Sequence, residues 1–117
     1  MTAYALGNLR PTADVHEDVV VYIERIQDTL DPFGGRFLVH GAPRRAVPEG
    51  SWPEALVVIG FPSFADARAW YDSPAYQELI PLRSRHMDGD ILLVEGVPEG
   101  YHPSMTARAL RTARSAE

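Results

Sequence analysis

The chain has 117 residues, 45% hydrophobic and 23% charged, and a formal net charge of −5 at pH 7. That is the size and composition of one soluble globular domain, and the acidic balance excludes the basic face that nucleic-acid phosphates require. There is no cysteine and all eleven basic residues are arginine, which excludes disulfides, thiolate metal sites, thiol nucleophiles, Schiff-base lysines and a phosphate-binding P-loop.

No long apolar run or leader-like pattern opens the sequence, so the expected location is the cytoplasm, with no membrane partner. Tyr4 to Arg10 mixes small and large residues over the length of a strand and ends at Pro11. Asp14 with Glu17 three residues on is a helix-capping pair, and Val19, Tyr22, Ile23, Ile26 and Leu30 trace the stripe of an amphipathic helix that stops at Asp31-Pro32. Gly34-Gly35 lets the backbone turn into a strand over Arg36 to His40. Strict alternation puts Phe37 and Val39 on one face of that strand and Arg36, Leu38 and His40 on the other. Gly41 ends it, and the proline-rich stretch from Ala42 to Pro53 is a connecting loop.

Glu54 to Phe61 is apolar on both faces, the pattern of a central strand covered from two sides. Ser63 then sits three residues before Asp66, a helix start, and Phe64, Ala67, Trp70 and Tyr71 recur at helical spacing. Ser73-Pro74 repeats the start signal, so the chain breaks near Asp72 and resumes as a second helix with Tyr76, Leu79 and Ile80 on its apolar side. Pro81 kinks or ends that helix before Leu82-Arg83. Asp88-Gly89-Asp90 reads as a turn, and Ile91 to Val94 as a last strand, again apolar on both faces. The order is βαββαβ, a ferredoxin-like α+β arrangement with a four-stranded antiparallel sheet and helices on one face.

Helices can shield only one face of such a sheet, while the third and fourth strands carry large aliphatics on both. A homodimer with the two sheets packed face to face is therefore expected. Residues 1–97 form the domain. In the tail, 98–117, Arg108, Arg111 and Arg114 recur every three residues among alanines, which reads as a solvated helical terminus or as an arm docking Met105, Ala109 and Leu110 on the partner.

The run from Val57 through W-Y-x-S-P-x-Y-Q, beginning at Trp70, to Arg83 carries a further signal. Read with Gly34-Gly35-Arg36-Phe37 and Val94-Glu95-Gly96, it resembles an uncharacterised family, domain of unknown function 1330, over most of residues 3 to 97. The resemblance implies a small ferredoxin-like domain pairing as a dimeric α+β barrel, with ligands held between helices and sheet or inside the barrel, and it implies no particular activity.

His16, His40, His86 and His102 are scattered with no H-x-x-x-H pair, so one helix cannot present two of them and no metal site is expected. Nucleophile-elbow and dinucleotide fingerprints are absent, and no cofactor is expected. His40, at a strand end, suits a general base near neutral pH, or is a histidine bonded to backbone or water. Arg83 could hold a carboxylate or enolate through its planar fork, although pairing with Asp72 or Glu78 to brace the helix is the more ordinary use. Trp70, Tyr71 and Tyr76 are core aromatics whose polar tips could line a ligand cavity, and Trp52 could form a lid or cover the sheet edge. Two functional readings follow: a homodimeric domain that binds or, without a cofactor, transforms a compact metabolite, and a non-catalytic interaction module whose dimer is the working unit.

Overall fold

The computed structural model describes residues 1–115; the last two residues of the expected tail lie outside them. Four strands, β1 (Ala3–Arg10), β2 (Arg36–His40), β3 (Ala55–Phe61) and β4 (Asp88–Glu95), form one antiparallel sheet in the order β2-β3-β1-β4. Helices α1 (Glu17–Leu30), α2 (Phe64–Asp72) and α3 (Pro74–Ser84) cover one face, which is the ferredoxin-like α+β fold. No helix among the described residues is long and apolar enough to cross a membrane.

The local signals mostly act as their chemistry dictates. Ser63 Oγ accepts the Asp66 N–H at 3.1 Å. Ser73 closes α2 and opens α3, its N–H reaching the Trp70 carbonyl at 3.1 Å and its hydroxyl accepting the Tyr76 N–H at 3.3 Å. Gly34, at φ 71°, takes the left-handed turn that leads out of α1 through a short 3₁₀ segment, Asp31–Phe33.

Several expectations are corrected by the structure. The cap of α1 is His16 rather than Asp14: the His16 Nδ1 accepts the Asp18 N–H at 2.9 Å, while Asp14 lies in a bend before the helix, its carbonyl bonded by the Thr12 hydroxyl. Of the two outcomes expected at Pro81, a kink or an end, the end is not taken: α3 runs on to Ser84, the Pro81 carbonyl accepting the Arg85 N–H at 3.2 Å, and only the proline's own missing donor is lost. Asp88-Gly89-Asp90 is strand rather than turn, paired with Arg10, Leu9 and Asn8. Finally, β2 does not alternate strictly. A bulge at Leu38 sets Phe37 opposite Ile59 and Val39 opposite Val58, so His40, opposite Val57, returns to the face that carries Phe37.

The core lies between the helices and the sheet. It contains Ala3, Ala5, Ile59 and Phe61 from the strands, Tyr22, Ile26 and Leu30 from α1, and Ala67, Trp70, Tyr76 and Leu79 from α2 and α3. Phe64, expected on the apolar face of α2, is exposed at the start of that helix. Trp70 is buried and its indole N–H donates to Thr29 Oγ1 at 3.0 Å, so its one polar atom is satisfied. On the opposite sheet face, Leu38, Leu92 and Val94 are exposed, as the two-sided apolar pattern requires when helices shield one side only. Beyond β4 the chain forms α4 (Pro103–Ser115), none of whose residues is buried. The radius of gyration, 17.2 Å, exceeds the roughly 13 Å of a compact chain of this length, in keeping with a projecting arm.

Candidate functional site

A cleft of about 70 Å³ opens between α1, α3 and the helix-facing side of the sheet. Its floor is one transverse row of the sheet, His40, Val57, Gly7 and Ile91, one residue from each strand in register. At about 4.8 Å per strand that row is about 14 Å across. Gly7 leaves the middle of the floor without a side chain. Tyr22, Ile23, Trp70, Tyr76 and Arg83 form the walls. Ile23 belongs to the apolar stripe of α1, yet it is exposed, because the cleft rather than the core lies beneath it.

Arg83 is the unusual member. It is only 6% exposed, its Nε has no hydrogen-bond partner, and no carboxylate among the described residues lies within ion-pair distance of its guanidinium. The expected brace is absent, since Asp72 pairs with Arg68 at 2.9 Å. The guanidinium carbon lies 5.5 Å from the ring centre of Tyr22. Burial disfavours the Arg83 charge, but the two tyrosines facing it outweigh that and hold its pKa above the ordinary value, so it remains a cation.

Beside it the Tyr22 and Tyr76 hydroxyls meet at 2.7 Å in the interior. Burial pushes the Tyr76 phenol far above its usual range and Tyr22 adds to this, against a smaller opposing pull from Arg83. Tyr76 is therefore a neutral hydrogen-bond donor at working pH. Of the two phenol protons one is taken up between the rings, and both phenols and Arg83 line an otherwise apolar cleft. The site is rich in donors and short of acceptors.

His40 stands exposed at the far end of the same floor, its ring stacked on Phe37 at 4.6 Å. The structure thus brings His40, Arg83, Trp70 and Tyr76 to one cleft and leaves two expected residues elsewhere. Tyr71 packs edge-on against Trp70 without reaching the cavity. Trp52 is half exposed beside Val39, Val47 and Leu56, a separate depression at the sheet edge, and does not cover the cleft as a lid. From sequence Tyr22 is read only as part of the α1 stripe and Gly7 only as a strand residue. A tyrosine in a buried stripe, whose hydroxyl needs a partner, and a glycine in mid-strand are the signals that mark them as site residues.

At the end of α1 near this cleft two distant histidines also meet. His16 and His86 stack at 3.6 Å, and Asp18 Oδ2 lies 2.9 Å from His86 Nε2 and 3.6 Å from His16 Nδ1. These residues share no helix: they come from the N-terminus of α1 and the segment just after α3, where sequence spacing does not bring them together.

Residues 2–97 match the family described as Domain of unknown function (DUF1330). No curated protein matches the sequence. Among solved structures, a protein of unknown function from Rhodopseudomonas palustris is similar at 16% identity and a TM-score of 0.58, with 83% of each chain covered. A dimeric ferredoxin-like protein of unknown function from Jannaschia sp. CCS1 is similar at 15% identity and a TM-score of 0.54, over 82% of this chain and 100% of that one. SnoaB, a cofactor-independent oxygenase from Streptomyces nogalater, is similar at 9% identity and a TM-score of 0.51, over 86% of this chain and 96% of that one. At these identities the likeness is one of fold.

Proposed function

From the premise that the chain belongs to the DUF1330 family, whose description assigns no activity, we propose that it works as a homodimer whose cleft binds a compact organic anion and acts on it without a cofactor. The observation that carries this reading is Arg83. Its charge is buried and faced only by two neutral phenols, so a carboxylate or enolate entering beside it would give it the anionic partner it lacks. The free phenol proton of the tyrosine pair supplies a second donor to the same anion. Because the remaining walls are apolar, the ligand carries one acidic group on a small hydrocarbon or aromatic body. The free space is about half that of a cavity known to admit benzene, so such a body extends past Ile23 toward His40.

In the catalytic form of the proposal, His40 takes a proton from the bound ligand, and Arg83 with the tyrosine pair stabilises the negative charge that develops. The dimeric structure similar to this one and the exposed far sheet face with Leu38, Leu92 and Val94 support pairing of two copies through their sheets. That same apolar face also favours the rival reading, an interaction module in which pairing is the function.

Thermal-shift screening of small aromatic and branched aliphatic carboxylates tests the proposal, since a ligand specific to the native state raises Tm by mass action. At least one member is expected to shift the native protein and to leave Arg83→Gln unshifted. Silence across the panel, or an equal shift in Arg83→Gln, overturns it. Full turnover by His40→Ala on an identified substrate removes the base assignment alone. A monomer by light scattering at micromolar concentration removes the dimer.

A further inference from the structure

The His16, Asp18 and His86 cluster caps α1 through His16 and also has the composition of a metal site, and we infer that it binds a divalent transition-metal ion of the zinc class. Two imidazoles and one carboxylate are the mixed nitrogen and oxygen donors that such ions prefer, and three protein ligands leave a fourth position open. One donor atom from each residue falls within 4.8 Å of the others. Bonds of 2.0–2.2 Å in a tetrahedron separate neighbouring donors by about 3.4 Å. Asp18 Oδ2 lies 2.9 Å from His86 Nε2 and 3.6 Å from His16 Nδ1, so only small side-chain movements are needed to reach that spacing.

The rings lie nearly parallel, 8° apart, and an ion cannot sit in the planes of both while they stack. One ring must turn on binding, and His16 is the one free to do so. Its side chain is half exposed and its ring nitrogen is held by a single hydrogen bond from the Asp18 N–H. His86 is better buried, and its backbone is tied to the Arg83 carbonyl at 3.1 Å, so it provides the fixed ligand. Asp18 and His86 each precede a cleft residue, Val19 and Met87.

Calorimetric titration of chelator-stripped full-length protein with zinc chloride near neutral pH tests the inference. The expected result is saturable uptake of one ion per chain, weakened by about tenfold or more in His16→Ala and in Asp18→Asn, and unchanged in His102→Ala. No saturable uptake up to about 100 μM zinc overturns it. Uptake that survives both His16→Ala and Asp18→Asn overturns it equally. His16→Ala and Asp18→Asn alter partly exposed side chains, so the outcome does not depend on whether His86→Ala folds. A histidine NMR spectrum in which the His16 and His86 ring signals move with zinc while that of His102 stays gives an independent readout.

Discussion

Phe37 and His40 stack ring on ring at 4.6 Å although they stand three apart in one strand. Regular alternation puts such residues on opposite faces. The bulge at Leu38 resolves the conflict, since one residue without a ladder partner shifts the remainder of β2 by half a pleat. The general-base candidate reaches the cleft only because of that extra residue.

Deleting Leu38 should be tolerated. The pairs Phe37 with Ile59, Val39 with Val58 and His40 with Val57 survive its removal, so the loss of stability is expected to stay below about 2 kcal/mol. Deleting Phe37 instead puts Leu38 opposite Ile59 and keeps the later pairs, but it loses a cleft-lining ring that stacks on His40, and should cost more. Chemical denaturation of the two variants makes the comparison, and equal damage from both refutes a packing role for Phe37.

Gly7→Ala should separate folding from binding. A Cβ there meets Ile91 Cδ1 at 3.4 Å and the Val57 Cβ at 3.6 Å, ordinary contacts, while filling the middle of the cleft floor. Replacing a mid-strand glycine is expected to stabilise the protein by up to about 1 kcal/mol. Carboxylate-induced shifts in Tm should shrink in the same variant. Undiminished ligand response would place the ligand elsewhere.

The hydrogen bond between Trp70 and Thr29 offers a double-mutant cycle. Thr29→Val strands a buried indole N–H and should cost about 1–3 kcal/mol. Trp70→Phe removes the donor and some packing. The double variant should lose less than the sum of the two, because no unpaired donor remains. Additive losses in urea denaturation would show that this bond carries no coupling.

Tyr76 sets an alkaline limit on stability. Its pKa is raised in the folded protein from an ordinary value of 10.0, so above that pH the unfolded chain releases a proton that the native state retains. Its contribution is complete below pH 10 and is lost above it, at up to about 1.4 kcal/mol per pH unit. Tyr76→Phe should lower stability near neutral pH by about 1 kcal/mol, through the lost bond to Tyr22, and flatten the alkaline slope. An unchanged slope would assign the alkaline loss to other groups.

Gly35 is buried, and Gly35→Ala should be among the more damaging single changes. Its Cβ would come within 2.7 Å of both Leu30 Cδ2 and Phe61 Cε1, two buried core side chains that have little room to yield. Overpacking of this kind costs about 1–3 kcal/mol. A melting curve matching that of the parent protein would mean that the corner relaxes freely.

The βαββαβ order, the Ser63 and Ser73 caps, the glycine corner and the greasy two-sided strands could all be read from residue type and short-range spacing. Each depends on interactions within a few positions of chain, where backbone geometry leaves few choices. Arg83 was visible as a candidate, but its lack of a partner was not, because that depends on Asp72 turning to Arg68 and on two tyrosines, 54 residues apart in sequence, closing over it. The face presented by His40 and the meeting of His16 with His86 were likewise decided in three dimensions. A single bulge inverts a strand's alternation, and contacts between helices far apart in sequence leave no local spacing to count.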